Sequence, residues 1–272
     1  MRRALLAVVF FLAIGLALAF LVLPVVAIFT HVGPGRLIDQ LSNPVVHDAL
    51  VVTLKTSLAA QALILLLGTP LAYFLATRRF PGRAVLVTLV ELPIVLPPAV
   101  AGIALLAAFG RAGLLGDQLD ALGVQIPFTQ TAVVLAVAFV ESPFYFRGAI
   151  AAFEAVDGSL LDAARTLGAA PARVFLRVAL PLAAGGLGAA SALALARGLG
   201  EFGATLIFAG SLQGVTQTLP LAIYGQFEQS FDTALAISAL FIVVGAILLL
   251  ALKLYPWFRF TSTSRSRFAP ST

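Results

Sequence analysis

The chain has 272 residues, of which 61% are hydrophobic and 11% charged, and its mean hydropathy is +1.06. A soluble domain carries roughly 25% charged residues, so there are too few polar side chains here to cover a water-facing surface. The fold class read from this composition is all-α, a polytopic membrane protein. A net charge of +5 and a pI near 10.2 would suggest nucleic acid in a soluble protein; in a membrane protein arginine-rich inner loops explain them first. Cysteine is absent, which excludes a disulfide framework, a thiolate metal site and a cysteine nucleophile. His31 and His47 are the only imidazoles and lie outside the long apolar runs. No metal site and no catalytic residue are therefore assigned.

A helix needs about 20 mainly apolar residues to cross a hydrocarbon core roughly 30 Å thick. The first such run, residues 4–29, is uncharged and follows Arg2 and Arg3. A signal peptide competes for it, but a signal core spans only about 7–15 residues. The run also ends in Leu23-Pro24-Val25-Val26 without a persuasive cleavage site, so an uncleaved helix is expected. The second run, 51–77, holds Lys55 near its outer end, where a long stem can snorkel to the headgroups. The third, 84–110, contains Glu91 and is interrupted by Pro93, Pro97 and Pro98. The fourth, 129–152, carries Glu141 and Arg147; the fifth, 178–208, crosses Arg197 and Glu201; the sixth, 233–252, is uncharged. Six spans put both termini on one side.

Lys and Arg in the short connections decide which side that is. With a cytoplasmic N-terminus, one face collects Arg2, Arg3, Arg78, Arg79, Arg83, Arg165, Arg173, Arg177, Lys253, Arg259, Arg265 and Arg267, against Arg36 and Arg111 on the other. The basic pI is thus a topology signal, and no nucleic-acid partner is expected. A single transmembrane unit is expected over 1–256, with a polar, disordered cytoplasmic tail over 257–272. No connection is long enough for a soluble catalytic domain, and no GxxxxGK[ST] phosphate loop occurs. If ATP drives this protein, another chain must hydrolyse it.

The inner connection 153–177 carries the most distinctive pattern. Asp157 or Ser159 suits the cap of a short helix through Leu167. Gly168 suits the left-handed position that ends such a helix, and Pro171 suits the first turn of the next. Ala163 and Ala164, beside Leu160, Leu161 and Leu167, form a small-residue patch suited to close insertion into another protein's groove.

This loop resembles the signature of ABC importer permeases, E-A-A, three residues, G, nine residues, I-x-L-P. Here Asp162-Ala163-Ala164 is followed at those spacings by Gly168 and by Val178-Ala179-Leu180-Pro181. Asp162 for Glu and Val178 for Ile are mild departures; a chance match in an Ala-rich loop is the bland alternative. The resemblance implies the type I ABC importer permease fold, with Asp162, Ala163, Ala164, Gly168, Pro171, Leu180 and Pro181 in the loop that couples to an ATPase.

Two further stretches narrow the likeness. Glu91-Leu92-Pro93 through Ile103 and Gly198-Leu199-Gly200-Glu201-Phe202-Gly203-Ala204-Thr205 through Gly210, with Gln217-Thr218-Leu219-Pro220-Leu221-Ala222-Ile223-Tyr224, are similar to molybdate transport permeases. The likeness runs from about Asp48 to Leu250, and is shared more loosely with sulfate and tungstate permeases. It implies a homodimer in the bacterial or archaeal cytoplasmic membrane, two ATPase subunits that use ATP and Mg, and a periplasmic or lipid-anchored oxyanion-binding protein. No cofactor is implied in this chain.

For the ion path, the sequence offers Pro97 and Pro98, which free backbone groups, and Gly200, Gly203 and Thr205, which present neutral donors. Plain helix packing is an equal reading of those glycines. Arg197 and Glu201, four residues apart on one helical face, read as a structural charge pair. Glu91 and Glu141 are expected to find backbone donors or Arg147. An ion-coupled secondary transporter would also use buried carboxylates, but the internal repeat usual for that class is not convincing here. An intramembrane enzyme is disfavoured by the lack of HExxH and GxSxG.

Overall fold

The computed structural model describes residues 2–33 and 42–254, together with Gly35 and Asp39. The expectations for Arg36 and for the tail 257–272 lie outside the described residues. Among the described residues every regular element is helical.

Helix α1 (Arg2–His31) is followed by α2 (Pro44–Thr77), which starts at Pro44 rather than Val51. The Asn43 side chain accepts from the Val45 N–H at 3.0 Å and proline takes the first turn, a combination that starts helices well. Its 34 residues extend about 50 Å at 1.5 Å per residue, so α2 is longer than a membrane core is thick.

The single span expected over 84–110 is instead two helices. After α3 (Arg83–Glu91) comes a 3-10 turn, Leu92–Ile94, and then α4 (Pro98–Phe109), with the chain bent by 114° between them. Proline biases the residue before it away from the helical region, and the pair Pro97-Pro98 removes two successive donors. A short helix, α5 (Gly116–Ala121), leads to α6 (Gln130–Glu154).

The fifth run is also corrected. Beyond the loop helix α7 (Gly158–Thr166), α8 runs from Pro171 to Leu199, earlier at both ends than the span expected over 178–208. It contains a wide turn at Phe175–Ala179, closed by the Leu180 N–H on the Phe175 carbonyl. Pro181 cannot donate into the ladder, and the wide turn just before it absorbs that gap. The chain then breaks at Gly200–Phe202 and resumes as α9 (Gly203–Ala209). Helix α10 (Leu219–Phe227) and the last span, α11 (Phe231–Leu254), complete the fold. Among the described residues five helices are long and apolar enough to cross a membrane, and the bent pair α3–α4 makes a sixth crossing when taken as one.

Helices α2, α6 and α8 form the centre. Gly148 and Ala152 of α6 face Ala190 and Gly186 of α8: a methyl on Gly148 would stand 2.5 Å from the Ala190 Cβ, and one on Gly186 would stand 2.6 Å from the Ala152 Cβ. Each helix thus contributes a small residue at both ends of a four-residue step, the pattern that lets backbones approach where hydrophobicity alone gives no drive. Polar side chains add cross-links. Gln61 donates to Ser191 at 2.8 Å, the Thr69 and Tyr145 hydroxyls lie 2.6 Å apart, and the Leu219 N–H donates to the Thr53 hydroxyl at 2.8 Å. Bonds of this kind contribute about 0.6 kcal/mol each. By contrast, every side chain of α1 from Leu6 to Val26 is exposed.

Candidate functional site

On the arginine-rich face, local rules build the loop. Asp157 caps α7 by accepting from the Ser159 N–H at 2.9 Å, and that donation holds the Asp157 carboxyl below its ordinary range. Gly168 closes the helix at φ 82°, with its N–H on the Arg165 carbonyl and the Ala169 N–H on the Ala164 carbonyl. A methyl group there would meet nothing within 4 Å. Gly168 is therefore required by backbone conformation and not by crowding. Ala170 then turns extended and Pro171 opens α8.

The small-residue patch differs from expectation. Leu161 is buried and Ala164 is half-buried against the core, so these two anchor the helix. The outward face is Leu160, Ala163 and Leu167, with Leu167 87% exposed. Asp162, which pairs with Arg165 at 2.7 Å, is exposed, as are Gly168, Pro171 and Pro181; Leu180 is half-buried.

Inside the membrane, Glu201 does two jobs at the break after α8. One carboxylate oxygen accepts from Arg197 at 3.0 Å and the other from the Ala204 N–H at 2.8 Å. It thereby ties the end of α8 to the start of α9, while its side chain is almost wholly buried. The broken helix itself leaves the donor that Glu201 takes.

The five residues offered for an ion path are not brought onto one surface. Pro97, Pro98 and Gly200 are exposed. Gly203 is pressed against Pro98, whose Cβ would lie 2.7 Å from a methyl on it. Thr205 is fully buried, and its hydroxyl has no hydrogen-bond partner among the described residues. In this conformation Thr205 cannot present its hydroxyl to an ion. Beside the break Tyr224 stands exposed, in ring contact with Phe202 at 5.1 Å; in sequence it falls within a family stretch and carries no assigned place at the site.

The two remaining membrane carboxylates part company. Arg147 pairs with Glu91 at 3.0 Å. Glu141 is fully buried against Gly198, and neither of its oxygens has a hydrogen-bond partner among the described residues. No group of three or more His, Cys, Asp or Glu that could hold a metal occurs among the described residues.

Residues 68–258 match the model of the binding-protein-dependent transport system inner membrane component. The chain is similar to a molybdenum transport system permease protein of Mycobacterium tuberculosis, with 47% identity over 86% of this chain and 88% of that one. The corresponding protein of Escherichia coli is 38% identical over 80% and 96%. A sulfate transport system permease protein of Synechocystis is 33% identical over 89% and 91%. Among solved structures, a bacterial ABC transporter involved in import of the acidic polysaccharide alginate superimposes with a TM-score of 0.70 at 19% identity, over 96% of this chain and 97% of that one. A methionine ABC transporter in inward-facing form superimposes at 0.57 and 19% identity, over 77% and 91%. The fold is that of type I ABC importer permeases, in a multi-pass membrane protein.

Proposed function

We propose that this chain, which belongs to the family of binding-protein-dependent transport system inner membrane components, is the permease subunit of an ATP-driven molybdate importer. The substrate reading rests on the 47% identity to the Mycobacterium tuberculosis permease. The observation that carries the mechanism is the loop helix α7: its anchored inner face and its exposed Leu160, Ala163 and Leu167 present a shaped apolar surface to a partner. That partner is a separate ATPase, two copies per complex, which binds ATP and Mg and pulls on the loop as it closes. The chain itself performs no hydrolysis.

The remainder of the reading is architectural. A single transmembrane unit over 1–256 pairs with a second copy, because one set of six crossings cannot enclose an anion path, and both termini face the cytoplasm. An oxyanion-binding protein delivers the ion from outside; a related transporter has been solved with its periplasmic protein. Asp162, Ala163, Ala164, Gly168, Pro171, Leu180 and Pro181 form the coupling segment. Pro97, Pro98, Gly200 and Gly203 shape the break beside the path, and Thr205 reaches an ion only after α9 moves.

The test is reconstitution in liposomes with the ATPase and the binding protein, following radioactive molybdate. ATP-dependent uptake with competition by tungstate and weaker competition by sulfate is expected. An ion-coupled carrier working alone is the competing reading, and Glu141, buried with no hydrogen-bond partner among the described residues, is the observation on its side. Uptake without an ATPase that collapses with a proton ionophore would establish it.

A further inference from the structure

Between α7 and the corner joining α2 to α3 lies a cleft of about 720 Å³, walled by Arg79, Arg83, Arg165, Glu154 and Asp162. A neighbouring cavity of about 290 Å³ shares Arg165 with it and adds Arg78. Two of the arginines are paired, Arg83 to Glu154 across the cleft at 2.6 Å and Arg165 to Asp162 within α7 at 2.7 Å. Arg78 and Arg79 have no carboxylate at ion-pair distance among the described residues and are exposed. The cleft holds three arginines against two carboxylates and the neighbouring cavity adds Arg78, so the two together carry an excess of positive charge. Such a site attracts an anion whose oxygens can be shared by several guanidinium groups.

The surroundings say which anion. Phe74, three residues before Thr77 at the end of α2, is 46% exposed, and Val85 and Leu89 of α3 are 62% and 56% exposed. Along α2 and α3, exposed apolar side chains therefore lie within about two helical turns of Arg79 and Arg83, at the end of a membrane-spanning helix where headgroups lie. A free phosphate uses the arginines alone; a phospholipid uses both parts. We propose that the cleft holds the phosphate of an anionic phospholipid of the inner leaflet. Arg79 and Arg165 contact the phosphate, Arg83 is held at the wall by Glu154, and the acyl chains lie along Phe74, Val85 and Leu89. The lipid would bridge the loop helix to the α2–α3 corner and so bias the angle at which α7 is presented. The leaflet depends on the orientation proposed above; the binding measurement below does not.

The test uses the full-length protein extracted from vesicles of equal phosphatidylglycerol and phosphatidylcholine, with retained lipid counted by native mass spectrometry. Wild type should keep phosphatidylglycerol in preference. Arg79→Gln and Arg165→Gln should each lower that preference about tenfold, from the roughly 1.5 kcal/mol a hydrogen bond between charged groups contributes. Arg79→Lys should keep most of it. Arg173→Gln, exposed on the same face but outside both cavities, should leave it within twofold. Equal loss in Arg173→Gln would reduce the effect to diffuse surface attraction and overturn the site. Displacement of the lipid by excess inorganic phosphate would make it a free-anion site instead. Loss of the lipid whenever the ATPase is bound would hand the cleft to acidic side chains of that partner. Either of those two results also removes the proposal.

Discussion

The segment from Asp157 to Pro171 and the segment from Leu199 to Gly203 both join two helices through glycine, and they are held in opposite ways. The loop is closed by its own backbone: an aspartate cap, a left-handed glycine, an extended alanine and a proline in a first turn. The membrane break is held by its own Glu201, which takes Arg197 and the Ala204 N–H, and also by Pro98 on a different crossing. Around the loop, water can satisfy whatever polar group is left over. At the break water is scarce, so a freed donor or a charge gains most from a protein partner. A joint in solvent can be specified by a few neighbouring residues, whereas this one also takes a contact from a distant part of the chain.

The largest effect should come from the buried charge pair. Replacing Glu201 with Ala strands Arg197 and frees the Ala204 N–H, and breaking one side of a buried pair costs about 3–5 kcal/mol. Abundance in the membrane and thermal unfolding in detergent should both fall sharply. The double variant Arg197→Gln with Glu201→Gln should recover part of the loss, since a glutamine carbonyl can still accept from Ala204. If the double variant is no better than either single one, while Arg197→Gln assembles normally and blocks transport, then Arg197 meets the ion.

Next comes Gly203→Ala, whose methyl would lie 2.7 Å from the Pro98 Cβ. Overpacking of that kind costs about 1–3 kcal/mol and should push α9 away from α4. Gly200→Ala, three residues earlier in an open position of the break with negative φ, should change stability by less than about 0.5 kcal/mol. Equal unfolding temperatures for the two variants would mean that Pro98 does not hold the break.

The loop should respond differently. Gly168→Val forces a β-branched residue to φ 82°, a strain of about 1–2 kcal/mol confined to an exposed turn. Membrane abundance should stay near normal while ATP-driven uptake drops or hydrolysis becomes uncoupled, and Ala163→Glu should do the same by adding bulk to the outward face. Normal uptake in both would remove the coupling assignment.

The smallest effect concerns pH. The Asp157 carboxyl lies below its ordinary value of 3.8 because the Ser159 N–H donates to it. The cap is therefore fully present above that value and is lost as pH falls through the lower native one. Amide exchange at Ser159 should accelerate only at that acid end, once corrected for the intrinsic rate.

What the sequence by itself determined is what depends on neighbours along the chain. Apolar length marked the crossings, and Asp157, Gly168 and Pro171 stand in the cap, turn and first-turn positions read from their residue types alone. The pairing of Arg197 with Glu201 was legible too, because a four-residue step on a helix is a local distance. Only the tertiary structure decided the rest. Prolines 97 and 98 announced an interruption but not the 114° bend, since that angle is set by where α9 packs against α4. Gly200 and Gly203 look alike in sequence and differ completely in space, one open and one against Pro98. Glu91 and Glu141 had equal claims on Arg147, and the helix packing gave it to Glu91 while leaving Glu141 against Gly198. In an apolar medium a side chain's partner is whatever the packed helices bring within reach, and no periodicity along one helix encodes the face of another.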